Sequence, residues 1–388
     1  MRIALVDPSL FTVPYDEALT HALQALGHAV VVHGRRPRRD DNAVNGIPLE
    51  TSFYRLTAWP PLCALPKPLR LGVKGVDHII SMAGLGSRLK RWRPDVIHFQ
   101  WLPLPVVDRR FLPRLRALAP LILTMHDSNP FNGNPAAALQ QEGMAASIAA
   151  FDRIIVHTEQ GRQRLRDQGI AAERLVVVPH GPLRLPERGI SAIVPEPRIL
   201  TFLLFGKLKP YKGADLLIEA FARLPPPLRS QAAVRIIGKP YMELASLHAL
   251  VERHGLAGQV LIEPRFIKDD EVAPLFRPGT IAAFPYREIE ASGVLSLAIA
   301  YGRPILATRI GSFAELIEDG EHGVLTPLGD ADALSAAMAR FIADRSFAAR
   351  CAQNVRALAE RLPRWAEIAE RTVGIYEAAG AQLMREHD

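Results

Sequence analysis

The sequence predicts an α/β protein made of two doubly wound domains with parallel sheets, and three observations carry that prediction. Short, β-branched apolar runs alternate with segments of helical apolar spacing from end to end. The alternation stops once, at a proline-rich stretch, and then restarts. At 388 residues the chain is also longer than one ordinary core requires. In order, the strand candidates of the first half are RIALV (2–6), AVVVHG (29–34), DVIHF (95–99), LILTMH (121–126), RIIVHT (153–158) and LVVVP (175–179). Helical spacing runs through 15–27, 70–92, 104–118 and 159–168 between them. HGPLRLPERGISAIVPEP (180–197) then brings four prolines and no apolar period, the mark of a linker. The second half repeats the scheme with ILTFLLFG (199–206), AVRIIG (233–238), QVLIE (259–263), TIAAFP (280–285), PILAT (304–308) and GVLT (323–326). PRWAEIAERTVGIYEAAGAQLM (363–384) closes the chain as one amphipathic helix. The expected division is 1–182, a linker over 183–197, a second domain over 198–362, and a terminal helix over 363–388 that packs back toward the first domain. Two such halves imply a cleft faced by the C-terminal ends of their strands, where ligands of doubly wound sheets bind.

Composition narrows the class. Hydrophobic residues make up 48% and charged residues 22%, which suits a globular chain and excludes a disordered or fibrous one. No apolar run reaches the roughly 18–20 residues of a membrane span. The N-terminal MRIALVDPSL is too short for a signal-peptide core and is cut by Pro8, so a cytoplasmic protein is expected. Cys63 and Cys351 form no metal or redox spacing and read as reduced thiols. The net charge of +7 is uneven: Arg55 to Arg116 holds twelve Lys/Arg against Asp77, Asp95 and Asp108. Apolar residues interleave those charges, as in LTAWPPLCALPKPLRLGVKG, a pattern suited to the anionic inner face of a membrane. Solvated helix faces explain it equally well. Nucleic acid fits less, because no recognised binding motif accompanies the charge.

Two strand-to-helix corners carry the chemistry. In LLFGKLKPYKGADLLIEAF (203–221) a strand ends at Gly206, a basic loop follows, and a helix starts near Gly213. Lys207 and Lys212 would face an anion drawn to the helix N-terminus, with Gly206 allowing close backbone approach. In PYREIEASGVLSLAIAYGRP (285–304), Ser292 is a good N-cap, and the amides at 293–295 offer a second anion site. Two helix N-termini and two lysines make a diphosphate clamp. The acids Glu288 and Glu290 stand just ahead of it.

FGKLKPYKGADLLIEAF, PYREIEASGVLSLAIAYGRPILATRIGSFAELIEDGEHGVLTP and RWAEIAERTVGIYEAA resemble the retaining glycosyltransferases of family 4, with looser agreement in RPDVIHFQW, LTMHDSNP, FDRIIVHTEQGRQRL and LVVVPHG. The resemblance implies the GT-B fold: two Rossmann-like domains facing an interdomain cleft, with the nucleotide sugar held by the C-terminal one. The donor set it implies is Gly206, Lys207, Lys212, Phe266, Ser292, Gly293 and Val294; Lys207 stands where the family has Arg. Lysine there gives a point charge without the bidentate fork. The family's sugar-facing histidine falls on His126, and His98, His157 and His180 occupy similar strand ends. His126, Glu288 and Glu290 are thus the catalytic candidates. The family's Glu-x7-Glu pattern is incomplete, because counting back from Gly302-x-Pro304 its positions fall on Ile289 and Leu297. The first loop, DPSLFTVPY, lacks the Gly-Gly often found beside the donor.

Other signals take plainer readings. Asp330 or Asp332 in DAD (330–332) is read as a helix N-cap and not a metal ligand; Asp269 and Asp270 precede a short helix; Glu315 is read as structural. FNGNP (131–135) carries no sequon. The resemblance implies no metal and no cofactor beyond a UDP- or GDP-linked sugar, with a glycan or lipid-linked acceptor. The expected role is in cell-surface polysaccharide or glycolipid synthesis. The rivals are a nucleotide-sugar 2-epimerase and a catalytically silent sugar-nucleotide binder. The lack of G-x-G-x-x-G after any strand argues against a dinucleotide oxidoreductase.

Overall fold

The computed structural model describes residues 1–387 apart from 39–43, 45, 60–65, 127–142 and 183–198. The expected linker, Cys63 and FNGNP lie outside the described residues. The chain divides into two compact units, Met1–Gly181 with Pro363–Asp388, and Pro182–Leu362.

The first unit holds seven parallel strands: β1 (Arg2–Asp7), β2 (Ala29–Arg35), β3 (Leu49–Phe53), β4 (Val96–Phe99), β5 (Leu121–Met125), β6 (Arg153–Val156) and β7 (Leu175–Val177). Their order is β3-β2-β1-β4-β5-β6-β7, so the winding reverses between β1 and β4. Helices α1 (Val13–Ala25), α2 (Lys67–Trp92), α3 (Pro105–Asp108), α4 (Leu112–Arg116), α5 (Met144–Ile148) and α6 (Glu159–Asp167) connect them. Segment 104–118, expected as one helix, is two short ones. Pro113 inside it has no N–H to carry an α-helical ladder through. Strand β3 escaped the reading, because LETSF is a short edge strand with exposed Glu50 and Thr51 and no apolar run.

The second unit has six parallel strands, β8 (Leu200–Phe205), β9 (Ala232–Ile237), β10 (Val260–Glu263), β11 (Thr280–Phe284), β12 (Ile305–Thr308) and β13 (Gly323–Thr326), in the order β10-β9-β8-β11-β12-β13. Its helices are α7 (Ala214–Ala222), α8 (Pro226–Arg229), α9 (Ala245–Arg253), α10 (Asp269–Leu275), α11 (Gly293–Ala300), α12 (Gly311–Leu316), α13 (Ala331–Ala343) and α14 (Arg345–Arg361). The reversal here falls between β8 and β11, the two strands that carry the basic corner and the acid pair. Strands β8 and β11 are buried along nearly their whole length, as a sheet covered on both faces demands.

The terminal helix α15 (Trp365–His387) belongs to the first unit. Ile368, Ala369, Ile375, Tyr376 and Ala379 are buried there among Ile3, Leu5, Tyr15, Leu19 and Val32. Tyr376 shares a hydrogen bond of 2.7 Å with His98 Nδ1 on β4, which fixes the helix register.

Candidate functional site

In the second unit the two corners meet. Gly206 follows β8 with φ +105°, a conformation that L side chains rarely adopt. A Cβ placed there would stand 2.9 Å from Lys212 Nζ and 3.2 Å from Val294 Cγ2, so these groups surround one point. A Cβ on Gly213 (φ +67°) would collide with the Pro285 carbonyl oxygen, which is how the second corner comes to lie against the first. Arg287 then ties them. Its guanidinium grips the Asp215 carboxylate at 2.9 and 2.6 Å and the Pro210 carbonyl at 3.0 Å, and its N–H donates to Tyr211 O at 2.7 Å. Burial raises the Asp215 carboxyl, but the Arg287 hydrogen bonds outweigh it and hold the pKa below the ordinary value.

Lys212 is buried, donates to the Phe205 carbonyl at 3.0 Å and lies 5.1 Å from the Tyr286 ring centroid. Burial lowers its pKa from 10.5 to about 7, and the charges of Lys207 and Lys209 push the same way. An ammonium so poorly solvated is stabilised by any anion that arrives. Lys207 has an exposed side chain; packing around its ammonium, then Lys209 and Lys239, hold it below the ordinary lysine value. Ser292 caps α11, its hydroxyl accepting from Leu295 N–H at 3.3 Å. The anion site expected from the amides at 293–295 therefore narrows to Gly293 and Val294, which have no preceding turn to accept their hydrogens. The apolar character of α11 is used as expected: Leu295, Ala298 and Ile299 are buried in the core.

The acids separate. Glu290 is buried, and its carbonyl accepts Ser312 N–H at 2.8 Å, while Glu288 is half-buried. Phe266 follows β10, two strands from β8, is 41% exposed, and is not among the groups around Gly206. Glu315 is exposed on α12. Asp330 is an N-cap, accepting from Asp332 N–H at 3.0 Å and Ala333 N–H at 2.8 Å. Asp269 and Asp270 open α10 and do not precede it, because Lys268 N–H, capped by the Glu271 carboxylate at 3.0 Å, sets the helix start before them.

In the first unit, His126 is half-buried at the end of β5 and joined to a histidine chain. His157 Nδ1 donates to Val178 O at 2.9 Å, so its Nε2 accepts from His126 Nδ1–H at 3.0 Å. That leaves His126 Nε2 facing the Gln100 carboxamide at 3.0 Å. Burial, then the neighbouring histidines His157, His180 and His98, hold His126 well below the ordinary value, so the ring is neutral. His98 lies buried between Tyr376 and Thr124 and is a core residue; burial takes it to about 3. His157 is buried and positions His126. His180 is half-buried, its Nδ1 donating to Gly181 O at 2.8 Å. Tyr15 packs against His126, His157 and His180 with ring centroids 4.7, 5.4 and 5.3 Å away.

An acid pair missed in the sequence sits at the β1 end of the same unit. Asp7 accepts Ser9 N–H at 3.1 Å and Thr12 N–H at 3.0 Å, which shapes the loop without a Gly-Gly. Asp16, buried beside it, has its pKa raised well above 3.8 by burial and then by Asp7. Asp-x8-Asp across a strand-helix corner was the available signal.

Residues 13–181 match the model of the glycosyl transferase 4-like domain, and residues 187–358 that of glycosyl transferases group 1. The chain is similar in structure to sucrose-phosphate synthase from Thermosynechococcus elongatus (TM-score 0.74, 20% identity, 98% of this chain and 100% of that one). It is also similar to Anabaena HepE, solved in complex with UDP and glucose (TM-score 0.72, 19% identity, 97% of this chain and 100% of that one). The two domains are those of the GT-B fold. The chain belongs to the group 1 glycosyltransferases. Among curated relatives, a D-inositol 3-phosphate glycosyltransferase of Acidothermus cellulolyticus is 28% identical, over 95% of this chain and 85% of the relative. The protein of that name from Streptomyces bingchenggensis is 26% identical over 73% of this chain, and the match spans 64% of that relative's length.

Proposed function

We propose that this protein transfers a sugar from a nucleotide-diphosphate donor to a hydroxyl acceptor with retention of anomeric configuration. The observation that carries this reading is the corner at the β8/β11 reversal, where a poorly solvated Lys212, the Gly206 turn and the start of α11 surround one point. That is the chemistry a diphosphate needs. As the bond from the anomeric carbon to the phosphate oxygen breaks, negative charge grows on the leaving diphosphate. On this reading Lys212, Lys207 and the Gly293 and Val294 amides neutralise it, which stabilises the transition state more than the bound donor. The acceptor oxygen bonds to the anomeric carbon from the same face, and its proton passes to the departing phosphate oxygen. No protein nucleophile is needed, which suits a chain lacking the second acid of the pair. His126, neutral and held by His157, is assigned the sugar contact, and Glu288 and Glu290 remain candidates for sugar hydroxyls. No metal or further cofactor is invoked, and the acceptor is assigned to a glycan or a glycolipid of the cell surface.

A calorimetric screen of UDP-, GDP- and dTDP-linked sugars tests the reading. One nucleotide series should bind, and the Lys212→Met protein should lose it by about tenfold to a hundredfold. Equal binding by Lys212→Met would overturn the site. Donor incubated without acceptor distinguishes the epimerase, which would release an epimer or free sugar.

A further inference from the structure

Helix α2 is built inside out. Its buried face carries Asp77, His78 and Ser81 alongside Met82, Leu85 and Leu89. Each polar group on that face is held. Asp77 accepts Thr57 N–H at 2.7 Å and Thr57 Oγ1 at 2.9 Å. His78 joins the Tyr54 hydroxyl at 3.1 Å to the Asp108 carboxylate at 2.6 Å, and Ser81 Oγ accepts Tyr54 N–H at 3.1 Å. These bonds fix the rotation of the helix about its axis. The opposite face, which ordinarily carries charge, instead presents Leu69 (61% exposed), Val76 (56%), Ile79 (45%), Ile80 (52%) and exposed Ala83. At 100° per residue these five fall within roughly one quadrant to one third of the helix circumference, a continuous apolar row. The helix cannot turn this row inward without breaking the contacts of Asp77, His78 and Ser81.

The surroundings of the row are basic. Lys67 to Trp92 contains six Lys/Arg and one acid, Asp77, which is the buried one. Arg70 is exposed at one end of the row, and Lys90 and Arg91 are exposed at the other. The turn tied to Asp77 through Thr57 also exposes Leu56 and Trp59, the latter by 62%. An apolar row bordered by cations and an exposed tryptophan matches the boundary between acyl chains and anionic headgroups. A nucleic acid would engage the cations but leave the isoleucines in water. A second copy of the same face would bring like charges together. No described helix is long and apolar enough to cross a membrane, so the contact is one of lying on a surface.

We infer that this face of α2 seats the protein on an anionic lipid surface, with Leu69, Val76, Ile79 and Ile80 entering the acyl boundary and Arg70, Lys90 and Arg91 in the headgroup layer. The contact is independent of the transfer reaction and is read without donor or acceptor. Full-length protein is floated with vesicles of phosphatidylglycerol in phosphatidylcholine, and separately with phosphatidylcholine alone. Binding is expected to the first, weakened by salt, with little to the second. The double variant Ile79→Ser, Ile80→Ser should keep its circular dichroism and melting temperature and bind about tenfold or more weakly. Lys90→Glu with Arg91→Glu should abolish the preference for anionic vesicles. Equal binding to both vesicle types, no binding to either, or unchanged binding by the isoleucine variant overturns the proposal. So does a dimer in sedimentation that the isoleucine variant dissolves.

Discussion

Lys212 is a charged group kept where charge is poorly solvated, and that makes two opposite predictions for one substitution. Its folded pKa of about 7 lies below the 10.5 of an exposed lysine. The folded state therefore binds fewer protons than the unfolded one between those values, and the protein loses stability as pH falls toward 7. Lys212→Met should raise stability by on the order of a few kcal/mol at pH 7 and much less at pH 10, read as a higher melting temperature, while weakening donor binding. A melting temperature unchanged or lowered at pH 7 would contradict the burial argument. The same residue makes binding take up protons. Above about pH 7 the free lysine is increasingly neutral, and a diphosphate, itself fully ionised there, restores the proton. Calorimetry in buffers of different ionisation enthalpy should show uptake approaching one proton at pH 8, absent in Lys212→Met. Asp16 follows the opposite sign for a carboxyl. Its pKa is raised by burial, so the stability present below the unfolded value is lost as pH rises through the folded one. Asp16→Asn retains a donor toward Asp7 and should flatten the fall of stability on the alkaline side, read from melting curves across pH.

Among elements, the two corners show how a site is assembled by backbone contact before side chains act. Gly213 admits the Pro285 carbonyl, and Arg287 then holds the second loop on Asp215 and Pro210. Arg287 and Asp215 are each nearly half exposed, so their pairing contributes about 1 kcal/mol or less to stability. Arg287→Ala should leave the melting temperature almost unchanged yet raise the donor KM about tenfold with a smaller change in kcat. A large loss of stability with unchanged KM would make Arg287 purely structural. The corners themselves were legible: a strand end, Gly206, two lysines and a Ser-Gly helix start define them in sequence. Arg287 was not, because an arginine beside two glutamates suggests a local pair, and its partner stands 72 residues away. Helix α2 was legible as a basic and apolar segment but not as an inverted one. Which side faces inward depends on Tyr54, Thr57 and Asp108, which lie outside its own period.

For the whole molecule, the chain ends inside the unit where it began. Helix α15 supplies Ile368, Ala369, Ile375 and Tyr376 to the core of the first unit. At about 2 kcal/mol for each large side chain, their loss is comparable to the entire stability of a domain. A chain stopped after Leu362 should therefore lose amide protection in β1, β2 and β4 while β8, β9 and β11 keep theirs, measured by hydrogen exchange. Retained protection in β1 would show that α15 is dispensable.

The class of this protein is written along the chain. Apolar runs of strand length, their alternation with helical spacing and the single proline-rich break are local properties, and doubly wound sheets follow from them. The lysines and helix starts of the proposed diphosphate site were likewise visible, because such a site is made largely of backbone and nearby charge. The rest came from the folded arrangement. It buried Glu290, made His98 a core residue, left His126 neutral through burial and then the histidines around it, and turned the apolar row of α2 outward. Burial and protonation depend on groups distant in sequence, since desolvation and hydrogen bonding act through space, whereas period and turn chemistry act along the chain.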